Sequence, residues 1–321
     1  MKELLLMINS ISRGSSQDEL DVLAQAEAVE RAAEELGYAV RRAYFDLDLG
    51  KISELLTGDG PDLVFNLVES VAGKGALIHL CPSLLDAFAV PYTGSGTYAL
   101  VASTNKLITK QILKSHGIPT PDWIRQGSGH LPGAGKKYIL KPIWEDGSVR
   151  ITDESVLEGT DIDLDRMTAD GQLKDAFLEE YIDGREFNLS LLSGMQVPEV
   201  MPVAEMLYVD YPAGKPRILN YASKWDDSSF EYHRTIRTFS LPEADWELAE
   251  TMSEISRQCW RIFDMKGYIR VDFRVDEQNR PWVLEVNANP CLAPDAGFVA
   301  ACQEAGIEYT KMINRIIAAV K

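Results

Sequence analysis

Residues 268–290 read YIRVDFRVDEQNRPWVLEVNANP, and this stretch has the pattern of a β-hairpin in the C-terminal part of the chain. Apolar and polar side chains alternate over its first eight residues, which is the period-2 pattern of a half-buried strand. The turn-like DEQNRP separates this strand from WVLEVN, so the segment predicts an antiparallel hairpin. In a symmetric register Asp272 lies opposite Glu285, and Arg270 lies opposite Asn287.

Two facing carboxylates are the unusual feature of this hairpin, because like charges directly opposite on a sheet are destabilising. Asp272, Glu285 and Asn287 bring three oxygen-bearing side chains to one face. Magnesium prefers oxygen ligands, typically one or two carboxylates with waters and substrate phosphates. The pattern therefore indicates either a divalent metal site or a solvated hairpin whose acids are neutralised by Arg270 and Arg274. Spacing alone leaves both interpretations open.

The composition argues against several classes of function. The chain has 321 residues, 45% hydrophobic and 25% charged, and its 49 acidic residues outnumber 32 basic ones to give a formal charge of −17. Such a surface argues against nucleic acid or an anionic membrane as the main partner. The four cysteines have no C-x-x-C spacing, which predicts neither zinc nor a disulfide framework and favours a reducing cytoplasm. The opening MKELLLMINS is too short an apolar run for a signal peptide or a membrane span.

In the N-terminal segment, residues 1–95, strands alternate with helices. The expected strands are ELLLMINS, YAVRRAYFD and PDLVFNLVES, and the first helix is expected over residues 19–36, ended by Gly37. This alternation predicts a doubly wound α/β domain with a parallel sheet. Ligands of such domains gather beyond the carboxyl ends of the strands, so the loops after Asn9 and Asn66 are candidate walls of a site.

Four lysines stand in settings that favour a phosphate ligand: Lys106, Lys110, Lys141 and Lys224. Lys141 lies among the apolar residues of the predicted strand YILKPI, where a charge must be paired or meet an anion. The Gly-Ser loop EDGSV that follows offers backbone N–H groups to phosphate. The chain lacks G-x-x-x-x-G-K-[ST], a strand–G-x-G-x-x-G–helix unit and G-x-S-x-G. A P-loop, a dinucleotide fold and triad hydrolysis therefore have no support.

The segment FLEEYIDGREFNLSLL, residues 177–192, carries Glu179, Glu180 and Glu186 around a turn at Gly184. A nucleotide needs backbone groups for its adenine edge and a carboxylate for its ribose hydroxyls, and this segment supplies both. Taken alone, the segment also fits an exposed acidic connection between two strands, and that alternative stays open.

Together these segments resemble the ATP-grasp superfamily, and within it the D-alanine–D-alanine ligase branch. The resemblance covers nearly the whole chain and rests on PYTGSGTYALVASTNKLITKQILKSHGIPTP, YILKPIWEDGSV, LEEYIDGREFNLSLL and IRVDFRVDEQNRPWVLEVNANP. It implies three domains: the α/β domain over 1–95, a small α+β lid over 96–183 and a C-terminal α+β catalytic domain over 184–321. Relatives in this family are commonly dimeric, so a homodimer is a possible state, and the cytoplasmic location expected from the cysteines fits the resemblance.

The resemblance assigns the binding of ATP to a set of nine residues. They are Lys106, Lys141, Ser148, Glu179, Glu180, Tyr181, Ile182, Glu186 and Lys224. The lysines and the flap loop that contains Ser148 would face the phosphates. Glu179 and the backbone of residues 180–182 would meet the adenine, and Glu186 would meet the ribose.

The implied activity is the ATP- and magnesium-dependent joining of a carboxylate to an amine through an acylphosphate. The implied ligands of two Mg²⁺ ions, for which Mn²⁺ would substitute, are Asp272, Glu285 and Asn287. Arg270 would stabilise the tetrahedral intermediate, Lys224 would reach the terminal phosphate, and the backbone N–H of Cys291 would serve the oxyanion. A nucleophilic Cys291 thiol is the weaker alternative.

Departures from the family pattern fall where the substrates would bind. The loop NSISRGSSQDEL lacks the paired glycines of the ligases, and FNLVESVAGKG replaces a histidine- and glycine-rich loop, with Glu69 expected to read a substrate amine. In ANPCLAPDAG, Cys291 takes the place of a glycine, Ala296 falls where a carboxylate-binding serine is expected, and Asp295 is a candidate substrate residue. Small-molecule amino acids or peptides are the expected substrates. The alternatives are a carboxylate kinase, a ligase that adds amino acids to a peptide or protein terminus, and a non-catalytic nucleotide-binding regulator.

Overall fold

The computed structural model describes residues 2–11, 17–58 and 60–320. Its N-terminal elements are β1 (Glu3–Asn9), α1 (Gln17–Glu35), β2 (Ala39–Phe45), α2 (Leu49–Leu56), β3 (Leu63–Leu67) and α3 (Leu80–Ala87). The strands form a parallel sheet in the order β2–β1–β3, which confirms the predicted α/β topology. Residues 12–16, which belong to the candidate wall after Asn9, lie outside the described residues.

The central part of the chain forms a second, antiparallel sheet of four strands. Its elements are α4 (Thr97–Thr104), α5 (Lys106–Ser115), β4 (Trp123–Ile124), β5 (Lys137–Pro142), β6 (Val156–Glu158), α6 (Leu164–Ala169) and β7 (Ala176–Glu180). The strand order is β4–β7–β5–β6, and a small core that includes Ile124, Tyr138 and Leu178 holds the sheet against α6. The predicted strands YILKPI and FLEEYI are therefore neighbours, with Lys141 paired in register to Phe177.

The C-terminal part is a larger antiparallel sheet covered by helices. Its elements are β8 (Arg185–Leu192), β9 (Glu199–Val200), β10 (Ala204–Tyr208), α7 (Tyr221–Trp225), α8 (Phe230–Arg234), β11 (Thr235–Thr238), α9 (Trp246–Ile262), β12 (Tyr268–Val275), β13 (Pro281–Asn287), α10 (Gly297–Glu304) and α11 (Tyr309–Ala318). The strand order is β11–β10–β8–β12–β13, with β9 paired to β8. The hairpin thus lies at one side of this sheet and β11 at the other.

Strand β1 is the centre of two cores, because alternate side chains of a strand point to opposite faces. Leu5 and Met7 belong to the core with α2 and α3. Leu4, Leu6 and Ile8 belong to a second core, which α1 and α11 complete. The residues that these two helices bring to it include Val22, Ala26, Val29, Met312, Ile313 and Ile316. A helix from the far end of the chain therefore closes the core of the first sheet.

The predicted hairpin is present, with one difference in register. Arg270 pairs with Asn287 and Asp272 pairs with Glu285, as the symmetric register requires. Beyond this point a bulge shifts the pairing by one residue, so that Phe273 faces Val283. A bulge bends its strand and increases the local twist. It therefore ends the symmetric register immediately after the two carboxylates.

Two further observations concern the whole described chain. Each helix in residues 2–11, 17–58 and 60–320 is too short or too polar to cross a bilayer. Cys81, Cys259, Cys291 and Cys302 are all free thiols, and all but Cys291 are buried.

Candidate active site

The hairpin face carries a tightly bound arginine–aspartate pair. Arg270 Nε and Nη2 donate to Asp272 Oδ1 and Oδ2, both at 2.7 Å, and Asn188 Nδ2 donates to Oδ1 at 2.8 Å. Burial alone raises the pKa of Asp272, but Arg270 outweighs it, and Lys224 and Asn188 add to the lowering. Asp272 is therefore ionised and neutralised by Arg270. Of the two arginines expected to neutralise the hairpin carboxylates, Arg270 does so by pairing with Asp272. Arg274 contacts other groups.

Glu285, on the facing strand, is in the opposite situation. Burial and then the nearby Asp146 and Asp272 carboxylates raise its pKa, and the attraction of Lys106 and Arg270 does not offset them. Lys106 Nζ is 4.0 Å from its Oε2. A divalent cation between the strands would relieve this excess of negative charge, so the donor set fits Mg²⁺.

The third predicted ligand, Asn287, is already partly used. Its Oδ1 accepts a hydrogen bond from the Asn289 backbone N–H at 2.8 Å, which leaves one lone pair for a metal. Among residues 2–11, 17–58 and 60–320, no group of three His, Cys, Asp or Glu side chains is arranged to bind one ion. The site is therefore two carboxylates and an amide, and phosphate or water oxygens would have to complete it.

A cleft between the central sheet and the C-terminal sheet collects the predicted nucleotide residues. Its lining includes all nine: Lys106, Lys141, Ser148, Glu179, Glu180, Tyr181, Ile182, Glu186 and Lys224. Asp272 and Glu285 line the same cleft, so the hairpin carboxylates stand at one end of it. Apolar residues such as Ile139, Ile151 and Leu284 also line it, as a flat base requires.

Glu179 is the most deeply buried acid of the cleft, at 1% exposure, and two lysines hold it. Lys141 Nζ donates to Oε1 at 2.5 Å, and Lys110 Nζ forms an ion pair with Oε2 at 2.6 Å. Lys110 also donates to Thr120 Oγ1 and to the Pro121 carbonyl. Burial lowers the pKa of Lys110 to about 8 against the attraction of Glu179. The mid-strand charge of Lys141 is thus paired, as the sequence required.

Lys110 is a supporting residue whose partner the sequence did not reveal. It was one of four candidate phosphate ligands, but it lies beneath Glu179 and does not line the cleft. The sequence feature that marks Lys110 is its position four residues after Lys106 in the first turns of α5. This spacing puts both lysines on one helix face. Only the fold shows that one reaches the cleft and the other the buried acid.

Lys106 joins the flap loop to the hairpin. Its Nζ donates to the Glu145 carbonyl at 2.6 Å and to Asp146 Oδ1 at 2.8 Å. Burial lowers its pKa, but Asp146 and Glu285 reverse this and raise the pKa to about 12. The lysine is therefore a permanent cation at the point where the flap, the hairpin and the cleft meet.

Two hydrogen bonds tie the flap loop to the segment between β10 and β11. Trp225 Nε1 donates to the Gly147 carbonyl at 2.9 Å, and Ser148 Oγ donates to the Leu219 carbonyl at 2.5 Å. Gly147, Ser148 and Arg150 have φ of 66°, 62° and 62°, in the left-handed region. Non-glycine residues adopt this conformation only at a cost of order 1 kcal/mol each, and such strain is typical of ligand-binding loops.

Glu186 is oriented before any ligand arrives. Tyr208 Oη donates to its Oε2 at 2.5 Å, and Arg274 Nη2 lies 3.0 Å from the same atom. Arg274 is itself buried and donates to the Gly184 carbonyl at 2.9 Å. These contacts fix the carboxylate at the cleft wall, with Oε1 still able to accept hydrogen bonds.

A second cavity, of about 610 Å³, lies beyond Lys224 and Arg270, which also line it. Both candidate walls contribute to it, through Asn9 and Glu69. Two acids of its lining, Asp21 and Glu69, are linked through Gln25. Gln25 Nε2 donates to Glu69 Oε1 at 2.8 Å and to Asp21 Oδ2 at 3.3 Å. Burial raises the pKa of Asp21. An ammonium group of a substrate would match this wall.

Asp21 and Gln25 belong to the site although the sequence patterns did not predict them. Their spacing of four residues on α1 places both on one helix face, which is the only local signal they carry. The backbone N–H of Leu292 donates to Gln25 Oε1 at 2.9 Å, so the loop after the hairpin holds this face of α1 in place. That contact joins residues 267 positions apart and cannot be predicted from either segment.

The remaining substrate candidates, Cys291 and Asp295, line the same cavity. Cys291 Sγ donates to Asp21 Oδ2 at 2.9 Å. Burial, with Glu69 and Asp21 nearby, raises the pKa of this thiol well above its usual range. A protonated thiol is a poor nucleophile, so the nucleophilic alternative has no support here. Asp295 is exposed at the rim.

Comparisons with known proteins agree over most of the chain. A family model described as D-ala D-ala ligase C-terminus matches residues 139–318. The chain is 31% identical over 310 residues to the D-alanine–D-alanine ligase of Aquifex aeolicus, covering 94% of this chain and 96% of that protein. Crystal structures of the D-alanine–D-alanine ligase of Bacillus anthracis, alone and complexed with ATP, superpose with TM-scores of 0.73 and 0.71. Each is 20% identical and covers 99% of this chain and 97% of the other, and the shared architecture confirms the predicted three-domain fold class.

Proposed function

The chain belongs to the D-alanine–D-alanine ligase family, and from this premise we propose that it joins two small amino acids, with Mg²⁺ as the metal. Membership makes it an ATP-dependent carboxylate–amine ligase that produces ADP. The relatives give no support to a carboxylate kinase, to a ligase acting on a peptide or protein terminus or to a regulator without activity. The observation that carries the proposal is the meeting of the nucleotide cleft and the second cavity at Lys224, which lines both.

Nucleotide binding is proposed to use the nine cleft residues in the roles that the family pattern assigns. Lys106, Lys141 and Lys224 bring three positive charges to the phosphates, under the flap that contains Ser148. Glu179 and the backbone of 180–182 receive the adenine, and the fixed carboxylate of Glu186 receives the ribose hydroxyls. Pre-oriented charges of this kind lower the barrier to phosphoryl transfer because they need no rearrangement during the reaction.

Mg²⁺ is proposed to bind between the strands of the hairpin. Asp272, Glu285 and Asn287 would hold one or two ions, and Mn²⁺ would substitute. The raised pKa of Glu285 opposite an ionised Asp272 supports a cation at this position. When bound, the metal supplies charge neutralisation to the phosphate oxygens.

The proposed chemical steps are the two that the family pattern implies. One substrate carboxylate attacks the γ-phosphate of ATP, ADP leaves, and the amine of the second substrate then attacks the acyl carbon and displaces phosphate. Arg270, fixed by Asp272, is proposed to stabilise the oxyanion of the tetrahedral intermediate, assisted by the backbone N–H of Cys291. Loss of one such donor typically costs about 100- to 1000-fold in rate.

The first substrate is proposed to be oriented by its amine. Its ammonium group would lie against Glu69 and Asp21, and its carboxylate would point past Arg270 toward the γ-phosphate. Asp295 at the rim is proposed to contact a substrate as well. Because the four cysteines are free thiols, we also propose a cytoplasmic location, and a homodimer stays a prediction.

The test is ADP release coupled to a dehydrogenase assay over all pairs from a panel of D- and L-amino acids, with the amide product identified by mass spectrometry. We expect turnover and a dipeptide from at least one pair, with D-alanine among the first to be tried. ADP formed with a single carboxylate, together with an acylphosphate that hydroxylamine traps as a hydroxamate and no amide product, would instead indicate a kinase. ATP bound without turnover under every pairing would indicate a regulator.

A further inference from the structure

Arg237 is the one arginine of the C-terminal sheet that has no partner in the described part of the chain. The other arginines in its strands, Arg185, Arg270 and Arg274, form ion pairs with carboxylates at 2.7–3.0 Å. The Arg237 guanidinium has neither a hydrogen bond nor an ion pair to any of residues 2–11, 17–58 and 60–320. The side chain is half-buried, and a partly desolvated cation without a counter-charge favours an anion beside it.

The Arg237 side chain is half-buried at the wall of a cavity. It lines the second cavity, where burial, followed by the nearby Arg270, lowers its pKa, and Asp295 opposes them from beyond ion-pair distance. Its guanidinium lies over Gly297, with Nη2, Cζ and Nε 3.7–3.9 Å from the position that a Cβ would occupy there. Gly297 is the first residue of α10. The N-terminus of a helix carries a partial positive charge, which also favours an anion.

The cavity is lined by groups of both charges. Asp21, Glu69 and Asp295 are lining acids, and Arg237 lines the cavity beside Ala296 and Gly297, which have no side-chain donors. Arg270 also lines the cavity, but its charge is balanced by the two bonds to Asp272. Arg237 is therefore a lining cation without a counter-charge in the described part of the chain, as are Arg150 of the flap loop and Lys224, which the nucleotide cleft shares.

Arg237 and Arg270 line the same cavity from different strands. Arg270 lies on β12 and Arg237 on β11, and the order β11–β10–β8–β12 puts three ladders between them. Arg237 is in register with Met206 and, through it, with Glu186, whereas Arg270 pairs with Ser190, four residues further along the same strand. Their guanidinium groups nevertheless lie close enough to interact electrostatically, so one can sit beside the reacting carbonyl while the other contacts the carboxylate of the same small product.

Resting on the proposed function, we propose that Arg237 binds the carboxylate of the amine substrate and selects free amino acids over amines that lack an acidic group. Arginine suits this task because its planar fork binds a carboxylate through two parallel hydrogen bonds. Arg237 is thereby assigned as a specificity-determining residue, while the chemical step stays with Arg270 and Lys224.

The experiment is a competition between two amines in one reaction. Wild-type enzyme, Arg237→Gln and Arg237→Lys are given ATP, Mg²⁺ and D-alanine together with D-alaninamide, and the ratio of dipeptide to dipeptide amide is measured by mass spectrometry. An L-alanine and L-alaninamide series is run in parallel. Arg234→Gln is the matched control, because it removes the same charge three residues away from an exposed pair with Asp210.

We expect the acid-to-amide ratio to fall about 10- to 100-fold in Arg237→Gln, the range for a lost hydrogen-bonded charge. The ratio for Arg237→Lys should lie between those of the wild type and Arg237→Gln, and the ratio for Arg234→Gln should match the wild type. The KM for ATP should change less than about twofold in each variant. A purely structural role would lower both products together and leave their ratio unchanged, which would overturn the assignment. A wild-type enzyme without preference for the acid would overturn it as well.

Failure of the proposed function would look different. If no pair gives any amide, calorimetric titration of D-alanine, D-alaninamide and the L-series into enzyme with a non-hydrolysable ATP analogue and Mg²⁺ decides the assignment alone. Tighter binding of the acid by wild type, lost in Arg237→Gln, would support the carboxylate contact even though ligation had failed. Equal affinities for acid and amide would reject it.

Discussion

Asp272 and Glu285 face each other across the β12–β13 ladder, and their surroundings shift the two carboxyl pKa values in opposite directions. Asp272 is bound by Arg270 through two hydrogen bonds. Glu285 has Asp146 and Asp272 near it and Lys106 Nζ at 4.0 Å. The excess negative charge of the hairpin is therefore concentrated on Glu285, and the two acids should respond differently to substitution.

Glu285→Gln should stabilise the metal-free protein by up to about 1 kcal/mol, because it removes a like-charge pair. Asp272→Asn should destabilise it by about 3 to 5 kcal/mol, because Arg270 is then a buried cation without its counter-charge. Both should reduce turnover by at least about 100-fold. Urea unfolding with and without Mg²⁺ measures the difference. Stabilisation by Asp272→Asn would contradict the assignment of the excess charge to Glu285.

Lys110→Met should destabilise the protein by about 3 to 5 kcal/mol, because it leaves the buried Glu179 with Lys141 alone. Lys114→Met is the matched control on the same helix, since Lys114 forms an exposed pair with Asp122 that is worth at most about 1 kcal/mol. Guanidinium unfolding of both variants measures the difference. Equal decreases in the free energy of unfolding of the two variants would mean that the buried Lys110–Glu179 pair stabilises the protein no more than the exposed pair does.

Asp21→Asn should change how stability depends on pH. Burial raises the pKa of folded Asp21 above its ordinary value of 3.8, so folded protein binds this proton more tightly than unfolded protein does. The stability that this proton contributes is complete below pH 3.8 and is lost as the pH rises through the folded value. The free energy of unfolding of wild type relative to Asp21→Asn should therefore increase as the pH falls from 7 toward 4.

Urea unfolding over that pH range measures this difference, with Glu27→Gln as a control for the loss of one negative charge from the exposed face of α1. A flat difference between wild type and Asp21→Asn, or one that decreases toward low pH, would show that Asp21 is not held in a desolvated position.

Trp225→Phe should weaken the attachment of the flap loop, because it removes the indole N–H that donates to the Gly147 carbonyl. A hydrogen bond of this kind contributes about 1 kcal/mol, so kcat/KM for ATP should fall roughly fivefold. Trp246→Phe is the control, since Trp246 is 62% exposed on α9. Steady-state kinetics at varied ATP distinguish the two. An unchanged kcat/KM in Trp225→Phe would mean that this contact does not hold the flap during turnover.

Local patterns predicted the elements that carry the chemistry. The alternation in residues 268–275 and the turn after it fixed the pairing of Asp272 with Glu285, and the structure confirms it. The bulge beyond this pair was not predicted, because no glycine or proline marks it in the sequence. The predicted first helix, residues 19–36, differs from the observed Gln17–Glu35 by only one or two residues at each end.

The parts that escaped prediction depend on contacts between distant segments. The role of Asp21 requires α1 to lie beneath the loop that contains Cys291. No local sequence pattern marks Arg237, and only the fold places Gly297 beside its guanidinium. Such positions follow from domain packing, and a single sequence carries no local signal for them.

The packing of α11 on the first sheet has a consequence for synthesis of the chain. Val22 and Val29 on α1 share a core with Met312 and Ile316 on α11, about 280 residues later. At ribosomal rates of about 5 to 20 residues per second, roughly 15 to 60 s separate the emergence of these two helices. During that time the first sheet exposes an apolar face, so its earliest folded form must be an incomplete one that depends on chaperones or on late docking of α11.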